Sequence, residues 1–415
     1  MDRKRFVIIG TGTRGLCFAK ALTGDFKGDA DLVALCDRNP LRMKGFNQLL
    51  GTDIPAFSDF PEMVQAVKPT HAIICTPDAT HDEVIELVFQ HGLEAVCEKP
   101  MASDAERVRH ILELEKKYKR KVTVTFNYRF IPHSAQLKKI LRDGLLGEIR
   151  SINVEWLLDK VHGAEYFRRW HSDMSVSGGL FVHKATHHFD LINWILEDEP
   201  EQVAAFGALN VYGANGPFRG ERCSTCTHAG GECPFEMKTH TVERDKPIFD
   251  NLYWNAESGD GYIRDKCVFR KEIDIYDTMT AGIMYRNGAQ LAYSLNAYSP
   301  IEGYNLGITG TKARLETSHF HSGIMMEGET GENIISIIRG QTREDITVEQ
   351  IPVATDASAH GGGDNRMYEH LFKSNVPDPL NQVADSRQGA MSCLIGIAAN
   401  TSAETGRTVR IDELL

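Results

Sequence analysis

The chain reads as an α/β protein: an N-terminal doubly wound parallel sheet, followed by an α+β domain built on a large, mostly antiparallel open sheet. Three observations predict this. Short apolar runs alternate with helical patterns through about residue 127, a glycine-rich turn follows the first run, and beyond residue 127 long segments alternate polar with apolar residues.

The first half of the prediction rests on RFVIIG, DLVALCD, HAIICT, EAVCEK and VTVTF, each apolar at nearly every position. Strands covered by helices on both faces have that composition. Helical patterns separate them, one running through Leu22 and others over residues 41–50, 81–91 and 105–118, so each strand is followed by a crossover. Further on, a helix over residues 134–143 precedes IRSINVEWLL, VAAFGALNVYG, DTMTAGIMYRNG and AQLAYSLNAYS, which alternate as half-buried strands do. Two more helices are expected, over residues 180–196 and 386–405.

A chain of 415 residues exceeds what one hydrophobic core organises, roughly 250–300 residues, so two domains are expected. Residues 1–127 would form the dinucleotide-binding domain. Residues 128–415 would form the substrate-binding and oligomerisation domain, with a cysteine-rich insertion at about 215–270. With 42% hydrophobic and 25% charged residues the composition is that of a folded protein, not a disordered one. A net charge of -11 argues against a nucleic-acid surface, which needs a concentrated basic stripe. The one basic cluster, KKYKRK at 116–121, reads as a helix C-terminus. The start MDRKRFVIIGTG lacks the apolar centre of a signal peptide and no apolar run reaches membrane-spanning length. A cytoplasmic protein with neither membrane nor nucleic-acid partners is therefore expected.

Gly10-Thr11-Gly12-Thr13-Arg14-Gly15 lies between a strand and a helix, the context in which G-x-G-x-x-G signifies a Rossmann dinucleotide turn. Gly10 permits the tight turn, Gly12 lets the backbone approach a pyrophosphate, and Gly15 lets helix and strand pack closely. The helix N-terminus then stabilises the phosphate charge. Asp37 ends the second strand 22 positions after Gly15, where a carboxylate bonds the adenosine ribose hydroxyls and repels a ribose phosphate. Arg38 complicates this, since a guanidinium tolerates that phosphate; NAD is preferred to NADP. Thr76 and Pro77 close a strand at the same sheet edge and are expected on the nicotinamide side. The expected cofactor set also includes His81, Glu98, Lys99, Asn127 and Arg129.

Glu98-Lys99-Pro100 follows another apolar strand, so Lys99 should emerge at the same edge. Here the sequence resembles the glucose-fructose oxidoreductase and inositol dehydrogenase (Gfo/Idh/MocA) family along nearly its whole length. The resemblance is carried by the strand-glycine start, the EKP tripeptide, the NYRF segment at 127–130, and the GG...H..D...W pattern at 178–194. It implies that Lys99 binds and polarises a reacting hydroxyl and that His187 is the general base. Alcohol oxidation independently asks for such a pair, because a hydroxyl proton must leave as hydride departs. His183, His187, Asp190 and Trp194 are spaced to share one helical face. Where the family often has an aspartate four residues before the histidine, this chain has His183, so His183 or the adjacent Lys184 takes a changed role. Tyr128, Arg169 and Trp170 join Lys99, Lys184 and His187 as expected substrate contacts. A metal reading of His183, His187 and Asp190 is disfavoured by the flanking Lys99 and Lys184.

Cys223, Cys226, Cys233 and Cys267 suit a structural zinc, with His228 or His240 as alternative ligands. The segment 360–366 reads as a loop preceding a helix at the pocket border. The implied activity is NAD-dependent hydride transfer at a secondary hydroxyl of a sugar, cyclitol or glycoside. One alternative is a redox-neutral, NAD-dependent glycoside-cleaving enzyme acting through a transient keto-sugar; another is a non-catalytic NAD-binding regulatory protein. A homodimer or homotetramer is expected from the open sheet face.

Overall fold

The computed structural model describes residues 3–237, 245–322, 332–354, 356 and 359–415. Strands β1 (Lys4–Ile9), β2 (Ala30–Cys36), β3 (Ala56–Phe57), β4 (His71–Ile74), β5 (Glu94–Cys97) and β6 (Val122–Val124) form a parallel sheet. Its order is β6-β5-β4-β1-β2-β3. Val7, Ile8, Ala34, Leu35, Ile73 and Val96 are all buried, as the apolar runs require. β3 is two residues long, too short for periodicity to reveal. The strand order turns back between β1 and β4, so their carboxyl ends diverge and open a crevice.

The second sheet comprises β7 (Ile149–Asp159), β8 (Pro200–Ala208), β9 (Thr278–Tyr285), β10 (Gln290–Ser299), β11 (Glu302–Gly310), β12 (Arg314–Ser322), β13 (Glu332–Arg339) and β14 (Thr347–Ala354). One pair, β7 with β10, is parallel and the other pairs are antiparallel. Along β10, Leu291, Tyr293, Leu295 and Ala297 point into the core while their neighbours face outward. The chain also returns to the first domain late. β15 (Ala384–Asp385) adds an antiparallel edge beside β6, and β16 (Val409–Arg410) finishes the second sheet beside β8.

The helix Ser386–Thr405 begins with a capping box between Asp385 and Gln388. Residues 389–399 of it are buried throughout, and a Cβ on Gly396 would collide with the Phe181 carbonyl. That close approach seats the segment carrying His183. The expected helix over residues 180–196 is two helices, Gly179–His183 and Thr186–Leu196. At the break Ala185 N–H reaches back to Leu180 O and His187 N–H to Lys184 O, a wide turn followed by a tight one. Consequently Asp190 does not share a face with His183. It lies in the core, 1% exposed.

Arg129, expected among the cofactor contacts, is turned away from the crevice to meet that carboxylate. Its Nη2 and Nε donate to Asp190 Oδ1 and Oδ2 at 2.6 and 2.8 Å, and its Nη1 donates to Gln388 Oε1 at 3.1 Å. A buried carboxylate requires such a partner, and satisfying it leaves the guanidinium unavailable to a ligand. Among the described residues no helix is long and apolar enough to cross a membrane. Replacing Arg129 by Met strands a buried carboxylate and is expected to lower stability by about 3–5 kcal/mol, read from urea unfolding midpoints.

Candidate functional site

A cleft of about 2260 Å³ runs from the carboxyl ends of β1 and β4 to the open face of the second sheet. Pockets for one small molecule are usually roughly 300–1,000 Å³, so this cleft has room for a dinucleotide and a second ligand. Its first end is the glycine turn. Gly10 has φ +93°, and a Cβ there would lie 2.7 Å from the Cys75 carbonyl oxygen. Gly12 precedes the helix Thr13–Thr23, and a Cβ on Gly12 would meet nothing within 4 Å, projecting into open space ahead of the helix N-terminus. An anion cradle needs that combination. A Cβ on Gly15 would stand 2.5 Å from Gly10 O, so its absence lets strand and helix pack.

Asp37 lines the same end and is rigidly held: it accepts from Thr11 N at 2.7 Å, Thr11 Oγ1 at 2.8 Å and Asn39 N at 2.9 Å. Thr11 and Gly15 therefore shape the turn without lining the cleft, while Gly10, Gly12, Thr13, Arg14, Asp37 and Arg38 line it. Arg14 is paired with Glu98 at 2.6 Å and Asp364 at 3.0 Å, and Asn127 donates to the same Asp364 oxygen at 2.9 Å. Thr76 and Pro77 lie along the wall; the His81 ring bridges Thr76 O and Pro100 O at 3.0 and 2.9 Å. In this way His81 ties the turn after β4 to the EKP segment.

The middle of the cleft gathers the chemistry. Lys99, His183, Lys184 and His187 all open onto it, as do Tyr128, Arg169 and Trp170. Lys99 Nζ donates to His183 O at 3.3 Å. Burial, then the neighbouring Lys184 ammonium, brings Lys99 down to about 8. Burial likewise lowers Lys184, against the raising effect of Glu302. The His187 ring rests 5.2 Å from Tyr128 and 6.0 Å from Phe126.

Residue types alone did not reveal the partner of His183. Its Nδ1 is 2.5 Å from Asp78 Oδ2, across the junction between the two sheets' domains. Burial, then the charges of Lys99, Arg169 and Lys184, holds the imidazole well below its ordinary range, while burial raises the Asp78 carboxyl. The carboxyl partner of His183 comes from the first domain, two positions after Thr76. Further along, Glu302 accepts from His162 at 2.7 Å and Tyr166 OH meets the other ring nitrogen at 2.8 Å, a second polar chain on the cleft wall.

Cys223, Cys226, Cys233 and Cys267 surround a separate small cavity, but the structure does not support a zinc there. Among the described residues no group of three or more His, Cys, Asp or Glu side chains is arranged to hold a metal. Arg168 Nη1 donates to Cys223 Sγ at 2.9 Å, which sets a positive charge beside one of the four thiols. His228 is engaged with Glu232 at 2.9 Å, and His240 lies outside the described residues.

The two glycines make separable predictions. Gly12→Val should leave the thermal midpoint unchanged while abolishing dinucleotide binding in a fluorescence titration; Gly15→Val should lower the midpoint itself.

Comparison with known proteins agrees with this geometry. Residues 4–126 match the model described as oxidoreductase family, NAD-binding Rossmann fold, and residues 138–411 match the C-terminal alpha/beta domain of the same family. YteT of Bacillus subtilis (strain 168) is 35% identical over 433 aligned positions covering 99% of this chain and 98% of YteT. Inositol 2-dehydrogenase of Rhizobium meliloti (strain 1021) is 33% identical over 206 residues, 49% of this chain and 58% of that protein. In fold, a levoglucosan dehydrogenase structure in complex with NADH and L-sorbose superposes with a TM-score of 0.69 at 18% identity, covering 99% of each chain. With a glycine turn, a held acid after the second strand and two matched domains in this order, the chain belongs to the Gfo/Idh/MocA oxidoreductase family and has its NAD-binding Rossmann fold.

Proposed function

We propose that this protein is an NAD-dependent dehydrogenase acting on a secondary hydroxyl of a sugar or cyclitol. The observation that carries the reading is that half-buried Lys99 and buried His187 open onto the same cleft as the glycine turn. NAD, when bound, supplies the hydride acceptor. Lys99 as an ammonium donates to the reacting oxygen and stabilises the charge developing there, and His187 takes the hydroxyl proton. The His183 carbonyl aims the Lys99 amine. Arg169, Trp170, Tyr128 and Lys184 offer donors and aromatic faces to the remaining hydroxyls of a polyhydroxylated ring. The relatives named for inositol and levoglucosan take ligands of that class.

A second reading has one observation in its favour. The Asp78–His183 pair gives the cleft a second histidine with its own carboxyl partner, which a redox-neutral glycoside cleavage would use to remove a carbon-bound proton after transient oxidation. The readings separate on an aryl glycoside. Net oxidation accumulates NADH, whereas the redox-neutral route releases the aglycone with no NADH.

We also propose that copies of the chain associate as a homodimer or homotetramer through the open face of the second sheet, where Phe206, 81% exposed, lies toward one edge and exposed Ile334 and Val348 toward the other. Sedimentation at the single-chain mass of 46.4 kDa would refute it.

Since the ammonium form of Lys99 is the competent one, kcat/KM should fall as pH rises through about 8. Lys99→Arg should remove that limb while retaining reduced activity. His187→Ala should lower kcat by about 10²–10⁴-fold with NADH binding unchanged, measured by stopped-flow absorbance and by titration.

A further inference from the structure

Asp37 alone does not explain a preference for NAD, because two arginines stand beside it. Arg38 follows it directly, and Arg42 lies in the first turn of the helix Pro40–Leu50; both line the same end of the cleft. A guanidinium at this place receives a ribose 2′-phosphate through strong, bidentate bonds, so a chain with Arg38 and Arg42 at liberty would accept NADP.

Neither is at liberty here. Arg42 Nη2 is 2.7 Å from Asp260 Oδ2, its Nη1 is 3.6 Å from Asp37 Oδ1, and its Nε donates to Leu252 O at 3.1 Å. Arg38, largely exposed, reaches toward the same Asp260 oxygen at 4.0 Å. The Asp260 side chain is 5% exposed. Burial opposes its ionisation, yet the hydrogen bond and charge of Arg42 hold its carboxyl below the ordinary range.

The segment bearing Asp260 belongs to the second domain and is fastened onto the first at several points. Asn39 Nδ2 donates to Ala256 O at 2.9 Å, and Tyr253 OH lies 2.5 Å from Thr13 Oγ1 beside the glycine turn. A Cβ on Gly259 would collide with the Asn39 side chain, so this contact is close. With Asp37 and Asp260 set against Arg38 and Arg42, formal charge at this end balances, and a 2′-phosphate would add about two negative charges to it.

We infer that Asp260, 223 positions beyond Asp37 in the sequence, is a determinant of NAD over NADP: it holds Arg42 and draws Arg38 in ion pairs and sets a second carboxylate beside the ribose site. The inference rests on the NAD-dependent reading above and names a residue through which its preference is set.

The test is equilibrium titration of the full chain with NADH and NADPH, followed by nicotinamide fluorescence without turnover, with thermal unfolding recorded for each variant. The native protein is expected to favour NADH. Asp260→Asn is expected to shift the NADPH-to-NADH affinity ratio by about ten-fold toward NADPH, and adding Arg42→Met should cancel the shift. Arg42→Met alone strips Asp260 of its guanidinium partner and leaves two carboxylates against Arg38, so it should give no gain in NADPH affinity relative to NADH; this arm stands even if Asp260→Asn does not fold. An unchanged ratio in folded Asp260→Asn, a relative gain of NADPH affinity in Arg42→Met, or a native preference for NADPH overturns the role of Asp260 while leaving NAD(P) dependence intact. A native protein that binds neither nucleotide overturns both.

Discussion

The site depends on a short hydrogen bond between two domains, His183 Nδ1 to Asp78 Oδ2 at 2.5 Å. Both groups are buried, and neither could be tolerated there unpartnered. The bond therefore dictates where the helix Gly179–His183 lies relative to the carboxyl end of β4. Since Lys99 donates to the His183 carbonyl, the same contact sets the position of the amine. Arg129 and Asp190 repeat the device deeper in the molecule, joining the segment after β6 to the helix Thr186–Leu196 that carries His187.

Electrostatics at the site differ from those of the whole chain. The protein carries a net charge of -11, yet Lys99, Lys184 and Arg169 converge on one part of the cleft wall, away from bulk water. Desolvation lowers both lysines, the Lys184 ammonium adding to it at Lys99, and desolvation followed by the charges of Lys99, Arg169 and Lys184 lowers His183. A wall so arranged favours negative charge appearing on a ligand oxygen, and its amine near neutral pKa is responsive to that charge. At the opposite end the glycine turn and helix N-terminus attract phosphate, while the carboxylates of Asp37 and Asp260 limit how much negative charge can be added.

Much of this site was legible in local sequence. The glycine turn, Asp37, Thr76 and Pro77, Lys99, His183, Lys184 and His187 all sit at strand ends or beside a helix start, positions that periodicity and turn chemistry locate, and all but Thr11 and Gly15 of the turn open onto the cleft. Three expectations changed. Arg129 serves a buried carboxylate, the cysteines form no metal-holding group among the described residues and Arg168 donates to one of them, and the helix through His183 breaks at Lys184 and Ala185. Each change arises from a contact made by residues distant in sequence, which spacing along one element does not encode.

What the sequence determined by itself was the set of local conformations: apolar runs that must be buried on both faces, a turn that only glycine permits, and the residue types able to carry charge and protons. Backbone sterics and the period of apolar residues act over a few positions, so they are written in neighbouring letters. The tertiary structure decided the pairings, including Asp78 with His183, Asp260 with Arg42 and Tyr253 with Thr13, which span 105, 218 and 240 positions. Those choices belong to packing, because a buried polar group takes whichever partner the folded chain brings within reach.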